Sequence, residues 1–277
     1  MTKILVVANE TVGGRALIQA VEKRVEAAGG TAKVTVICPQ NQPRHGYVIH
    51  DSVIRAAAEN RLATTLAQLR AAGIEAEGEV MDPDPYSATM DAVDHYGADE
   101  IVISTHPETR SGWMQRDLVE RIADATGLPV EHIVVDLDND RDAATRTLVV
   151  ANQTVEGSSL IALLKEKAAS GPHIFTIICP HGDEGGDQAQ ARLDHVLAKI
   201  HEAGLEALGQ VMDPDPFTAI QNALQFYSVD EIVISTFPDE RSGWMRGNLL
   251  ERVRASTSKP VEHVVVTPDE LKEGAEV

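Results

Sequence analysis

The sequence is poor in cysteine, in aromatic residues and in positive charge. Two cysteines in 277 residues, Cys38 and Cys179, cannot build a disulfide framework, so a reducing, cytoplasmic compartment is expected. Aromatic residues make up only 4%, so a core must be assembled from Val, Ile, Leu and Ala. Lys and Arg number 24 against 43 Asp and Glu, and the formal charge of −19 repels phosphate backbones and anionic lipid. General nucleic-acid or membrane-surface binding is therefore not expected. A small anionic ligand remains compatible, because a few local donors outweigh a distant, salt-screened field.

Long apolar runs are missing too. Nothing approaches the roughly 20 residues of a membrane helix. The opening run, Ile4 to Ala8, is too short for a signal-peptide core, and none is expected. There is no G-x-x-x-x-G-K-[ST] loop, no G-x-G-x-x-G after the first strand and no G-x-S-x-G elbow. The ten histidines include no pair at zinc-ligand spacing with a third ligand nearby, so no metal site is expected. No paired acid and base is visible, and an enzyme is not expected beyond a slow ATPase.

What is present is a duplication. ILVVANETVG from Ile4 returns as LVVANQTVEG from Leu148, and TVICP from Thr35 as TIICP from Thr176. VMDPDP recurs at Val80 and Val211, DEIVIST at Asp99 and Asp230, RSGWM at Arg110 and Arg241, and PVEH at Pro129 and Pro260. From Arg61 onward one constant offset holds. Copy two is about ten residues shorter between Pro180 and Arg192, and the extra piece of copy one lies within 40–60. The expected division is repeat one over 1–136, a linker over 137–145, repeat two over 146–267 and an acidic, partly frayed tail over 268–277.

Each copy alternates strand and helix. Lys3–Ala8, Lys33–Ile37, Ile74–Met81, Glu100–Ser104 and His132–Val135 read as strands, the first apolar enough to be buried on both faces. Helices are expected from Leu17 to Gly29, over Val53–Ala72 with Gly73 as the stop, after Asp84, and from Ser111 to about Ala125. Asp84 suits an N-cap and Pro85 the first helical position. This order predicts an α/β fold of two repeated, doubly wound five-stranded parallel sheets, with ligands at the carboxyl ends of the strands where the winding reverses.

Three segments converge at that point. In copy one they contain Ala8, Asn9, Thr11 and Gly13; Ile37 and Cys38; and Ser104, Thr105 and His106 through Arg110, Ser111 and Gly112. In copy two they contain Ala151, Asn152 and Thr154; Ile178 and Cys179; and Ser235 and Thr236 through Arg241, Ser242 and Gly243. Arg110-Ser111-Gly112 at a helix start reads either as a phosphate cradle or as a Ser cap beside a surface ion pair. Asn9 and Asn152 either bond a ribose or base, or hold the turn. Thr105 and Thr236 are candidate phosphate donors. His106 is matched by Phe237, which argues against a catalytic imidazole. Trp113 and Trp244 read as packing anchors, and both cysteines as buried, inert thiols.

These motifs resemble the universal stress protein family. The likeness rests on the I-L-V-V strand, the MDPDP turn from Met81, DEIVIST from Asp99 and PVEHIVV from Pro129, and it covers both repeats. It identifies the chain as a tandem member. The family implies strand order 3-2-1-4-5, pseudo-twofold pairing of the repeats through their fifth strands, and a homodimer as a further assembly. It also implies a stress-related regulatory role and ATP or AMP as ligand, with no metal beyond nucleotide-bound Mg. The base would lie on the backbone of Ile37 or Ile178, the ribose on Asn9 or Asn152, and the phosphate on Thr105, Arg110, Ser111 and adjacent helix N–H groups. The family's G-x-x-G, nine residues, G-[ST] motif is not kept. Copy one has Asp117 near its end, and copy two retains only Gly247-Asn248 there. An interaction scaffold of the same fold, without nucleotide, is the alternative.

Overall fold

A computed structural model describes residues 1–8, 11, 14–40, 51–105, 107, 117–136, 144–181, 186–238 and 243–273. The chain divides into two compact units, Met1–Ala143 and Ala144–Val277.

In unit 1 the order is β1 (Thr2–Val7), α1 (Arg15–Ala27), β2 (Ala32–Pro39), α2 (Asp51–Ala71), β3 (Ala76–Met81), α3 (Pro85–Tyr96), β4 (Glu100–Thr105), α4 (Leu118–Thr126) and β5 (Val130–Val134). All strand pairs are parallel and the sheet order is β3-β2-β1-β4-β5. The central strand shows why its sequence is apolar throughout. Ile4, Val6 and Ala8 pack against Leu17 and Val21 of α1 and Leu62 and Leu69 of α2. Leu5 and Val7 pack with Ala88 and Ala92 of α3 and Leu118 and Ile122 of α4. Side chains alternate across a strand, so a strand with helices on both faces has no place for a polar residue. The winding reverses between β1 and β4.

Unit 2 repeats the plan: β6 (Thr145–Val150), α5 (Ser158–Ser170), β7 (His173–Pro180), α6 (Gly186–Glu202), β8 (Glu206–Met212), α7 (Pro216–Phe226), β9 (Glu231–Thr236), α8 (Gly243–Arg246), α9 (Leu249–Ser256), β10 (Val261–Val265) and α10 (Pro268–Glu273). Its sheet order is β8-β7-β6-β9-β10, again parallel. Val149 and Ala151 face Leu160 and Leu164 of α5 and Leu193 and Val196 of α6. Among the described residues no helix is long and apolar enough to cross a membrane.

The caps follow the local sequence. Asp84 Oδ2 accepts from the Ser87 N–H at 3.0 Å, Asp215 Oδ2 from the Thr218 N–H at 2.9 Å, and each is followed by proline at the first helical position. Several boundaries differ from the sequence expectation. Ile74 does not begin β3. Its N–H bonds the Leu69 carbonyl at 2.9 Å while Gly73, at φ +78°, bonds Arg70, and this closure ends α2. A continuous helix from 111 is not formed through 117. Asp117 has φ +46° and Asn248 φ +50°, and a left-handed residue cannot continue a right-handed helix, so α4 and α9 begin afresh behind them. Within the expected acidic tail, residues 268–273 form α10 beside α5. Residues 137–143 of the expected linker, and most of the extra piece of copy one, lie outside the described residues.

Candidate functional site

In unit 1 the end of β1 is stitched to its neighbours. The Ala8 N–H donates to the Ile37 carbonyl at 3.1 Å, so one carbonyl expected to hold a base already has a partner. Thr11, 1% exposed, sits beside Ser104, whose hydroxyl donates to Thr11 Oγ1 at 2.7 Å across the winding reversal. Thr105 Oγ1 lies 2.7 Å from His132 Nε2 on β5, and burial pulls His132 below the usual imidazole range. Ala8, Thr11, Ile37 and Thr105 are thus brought to one end of the sheet. Asn9, Gly13, His106, Arg110, Ser111, Gly112 and Trp113 lie outside the described residues.

Unit 2 presents the same end with its first turn described throughout. The Ala151 N–H donates to Ile178 at 3.1 Å, and the Val155 and Gly157 N–H groups bond the Asn152 and Thr154 carbonyls at 3.1 Å each. The Thr154 hydroxyl donates to the Ser235 carbonyl at 3.1 Å. Ser235 Oγ is buried with no hydrogen-bond partner among the described residues. Thr236 Oγ1 lies 2.9 Å from His263 Nε2 and donates to the Phe237 carbonyl at 2.8 Å. Ala151, Asn152, Thr154, Ile178 and Thr236 therefore gather at this end, as the described Ala8, Thr11, Ile37 and Thr105 do in unit 1. Gly243 opens α8, and Gly247 and Asn248 form the break before α9. Arg241 and Ser242 lie outside the described residues.

Two features were not singled out from sequence. Arg192 of α6 reaches over the end of β7, and its Nη2 donates to Asn152 Oδ1 at 2.5 Å. Burial pushes the nearby Cys179 thiol up to about 12, with the Arg192 guanidinium opposing. The counterpart of Arg192 is Arg61, only 3% exposed within the buried stripe Ile54, Ala58, Leu62 and Thr65 of α2. An arginine on an apolar stripe at the same place in both copies was the available signal. The second feature is the Thr–His pair, whose histidines stand in both copies of PVEH. Both cysteines are buried, and no cluster of three or more metal-ligating side chains occurs among the described residues.

No family model matches the chain, and no curated protein matches it. Solved structures do. A universal stress protein from Archaeoglobus fulgidus is 16% identical with a TM-score of 0.36, covering 97% of this chain and 97% of its own. A universal stress protein family protein from Arabidopsis thaliana with AMP bound is 18% identical with a TM-score of 0.35, covering 50% of this chain and 94% of its own. A universal stress protein in complex with cAMP is 16% identical with a TM-score of 0.37, covering 49% of this chain and 98% of its own.

Proposed function

We propose that this chain is a cytoplasmic, tandem universal stress-type regulatory protein. It binds an adenine nucleotide, ATP or AMP, at a switch-point crevice and does not turn it over. The motif likeness of both repeats supports the family reading. The observation that carries the ligand reading is the placement of N–H donors at the carboxyl end of β6. There Arg192 and Asn152 stand where the winding of a parallel sheet reverses and such sheets take ligands. Unit 2 is the better site. The residue before α9 is the neutral Asn248, whereas Asp117 places a carboxylate before α4 that opposes phosphate.

Calorimetry of the whole chain with ATP and AMP tests this, with Arg110→Ala and Arg241→Ala as comparisons. Saturable binding weakened by Arg241→Ala is expected, and absence of heat up to about millimolar ligand, the edge of useful affinity, rejects it. Phosphate release above background would reject the non-enzymatic part.

An interaction scaffold without nucleotide is favoured by a different observation. The hydroxyls of Thr11, Thr105, Thr154 and Thr236 all have partners within the protein, and Val134 and Val265 are exposed on the outer strands β5 and β10. In that case assembly, whether between repeats or as a homodimer, is the activity.

A further inference from the structure

The sheet of unit 1 ends at β3, which pairs only with β2 among the described residues. The Gln40 N–H donates to the Met81 carbonyl at 3.1 Å, so the backbone groups of Met81 turn toward β2. Backbone groups alternate along a strand, and those of Glu77 and Glu79 turn the same way. The N–H and C=O groups of Ala76, Gly78 and Val80 therefore point away from the sheet. Glu77, Gly78 and Glu79 are exposed.

Side chains alternate as well. Ala76 and Val80 pack into the core with Leu62 and Leu69 of α2, and a Cβ on Gly78 would lie 2.7 Å from Leu62 Cδ1. Glu77 and Glu79 take the opposite face. There Glu77 Oε1 lies 2.6 Å from Lys33 Nζ, and Glu79 Oε2 accepts from the Tyr96 hydroxyl at 2.6 Å. Tyr96 is pushed up to about 12, first by the hydrogen bond it donates to Glu79, then by burial and by the charges of Glu79 and Glu77. Glu75, just before the strand, is exposed too.

Unit 2 shows that the fold does not require such an edge. At the matching positions β8 carries Leu208, half-buried, and Gln210, which is buried and accepts from the Tyr227 hydroxyl at 2.7 Å. Gly209, the counterpart of Gly78, is half-buried and has a further partner. Carboxylates on an open edge repel a second copy of that edge and complement a cation.

We infer that the open edge of β3 docks an extended, cationic segment of a partner protein as an added strand. The main chain of the segment bonds the outward groups of Ala76, Gly78 and Val80, and lysines or arginines at alternate positions meet Glu77 and Glu79. The crevice at the winding reversal plays no part in this, so its nucleotide reading stands or falls separately.

The test titrates the full chain with a capped peptide alternating lysine with threonine, followed by fluorescence anisotropy and amide hydrogen exchange. A second peptide replaces each threonine with proline, which keeps the charge and removes ladder donors. The threonine peptide is expected to bind saturably and to slow exchange at Gly78 and Val80 at least about tenfold, and the proline peptide to bind at least about tenfold more weakly, the scale of one or two lost hydrogen bonds. Glu77→Gln combined with Glu79→Gln is expected to weaken the threonine peptide about five- to tenfold, the scale of two exposed ion pairs, with thermal melts checking that the variant folds. Equal binding of the two peptides, unchanged exchange at Gly78 and Val80, or undiminished binding to the double variant overturns the inference. So does absence of binding up to about millimolar peptide. Protection of Gly78 that grows with protein concentration alone assigns the edge to a second copy and also overturns it.

Discussion

At Gly157 a single hydrogen atom sets how closely a helix approaches the sheet. A Cβ there would lie 2.3 Å from Val266 Cγ1, and at the matched Gly14 2.2 Å from Val135 Cγ1. Both glycines stand one residue before a helix, against the residue that follows the fifth strand of their own unit. Backbone cannot retreat cheaply on either side, so Gly157→Ala is expected to cost about 1–3 kcal/mol, the range for overpacking. Gly186→Ala, with no neighbour within 4 Å among the described residues on the first residue of α6, is expected to be neutral or stabilising by up to about 1 kcal/mol. Urea unfolding of the two variants checks this, and equal losses would contradict the packing account. Residue-level chemistry was legible where it is local. Asp84 caps three residues ahead, within reach of the backbone's own geometry. Arg192 and Asn152 are 40 residues apart, and no spacing rule links them.

At the scale of elements, one carboxylate ties α10 to the start of α5. Glu270 Oε2 accepts from the Ser159 N–H at 2.9 Å and the Ser158 hydroxyl at 3.1 Å, at the start of α5, which its own N-cap Gly157 leaves without a side-chain cap. Glu270 Oε1 accepts from the Thr267 N–H and hydroxyl at 2.9 and 3.0 Å. Burial pushes the Glu270 carboxyl up, but these hydrogen bonds outweigh it and bring it from 4.5 down to about 2. A folded-state value below the unfolded one stabilises above about pH 4.5, and this contribution is lost as pH falls through 2. Glu270→Gln is therefore expected to cost about 1 kcal/mol at pH 7, as for loss of a helix cap. The gap to the unsubstituted protein should close toward pH 2, which thermal melts at the two pH values can read. An equal gap at both would place the effect elsewhere. The described part of the acidic tail, 268–273, is helical here, and its acid meets N–H groups that the start of another helix leaves unpaired.

Across the whole molecule the duplication extends to contacts. Arg24 pairs with Glu100 and Glu131, and Lys167 with Glu231 and Glu262. Tyr96 bonds Glu79 as Tyr227 bonds Gln210, and Arg121 lies 4.2 Å over Tyr86 as Arg252 lies 4.2 Å over Phe217. Residue types change between copies while the interaction persists, as expected when geometry is what packing retains. These ion pairs leave the net charge of −19 unchanged. Self-repulsion at that charge is screened by salt, so the thermal midpoint is expected to rise by about 2–5 °C between low and moderate ionic strength, roughly 1 kcal/mol. A midpoint that falls with salt would show that screened ion pairs outweigh the repulsion.

The sequence by itself determined the duplication, the alternation of strand and helix, the apolar central strands and the Asp-Pro helix starts. Each of these is written in spacings of a few residues, where propensity and periodicity act directly. Only the tertiary structure decided that Thr105 meets His132, 27 residues away, that Arg192 clamps Asn152, and that Ser104 finds a partner while the Ser235 hydroxyl finds none among the described residues. Long or rotatable polar side chains have several staggered states of similar energy. Which one is taken depends on neighbours that folding alone brings within hydrogen-bond reach.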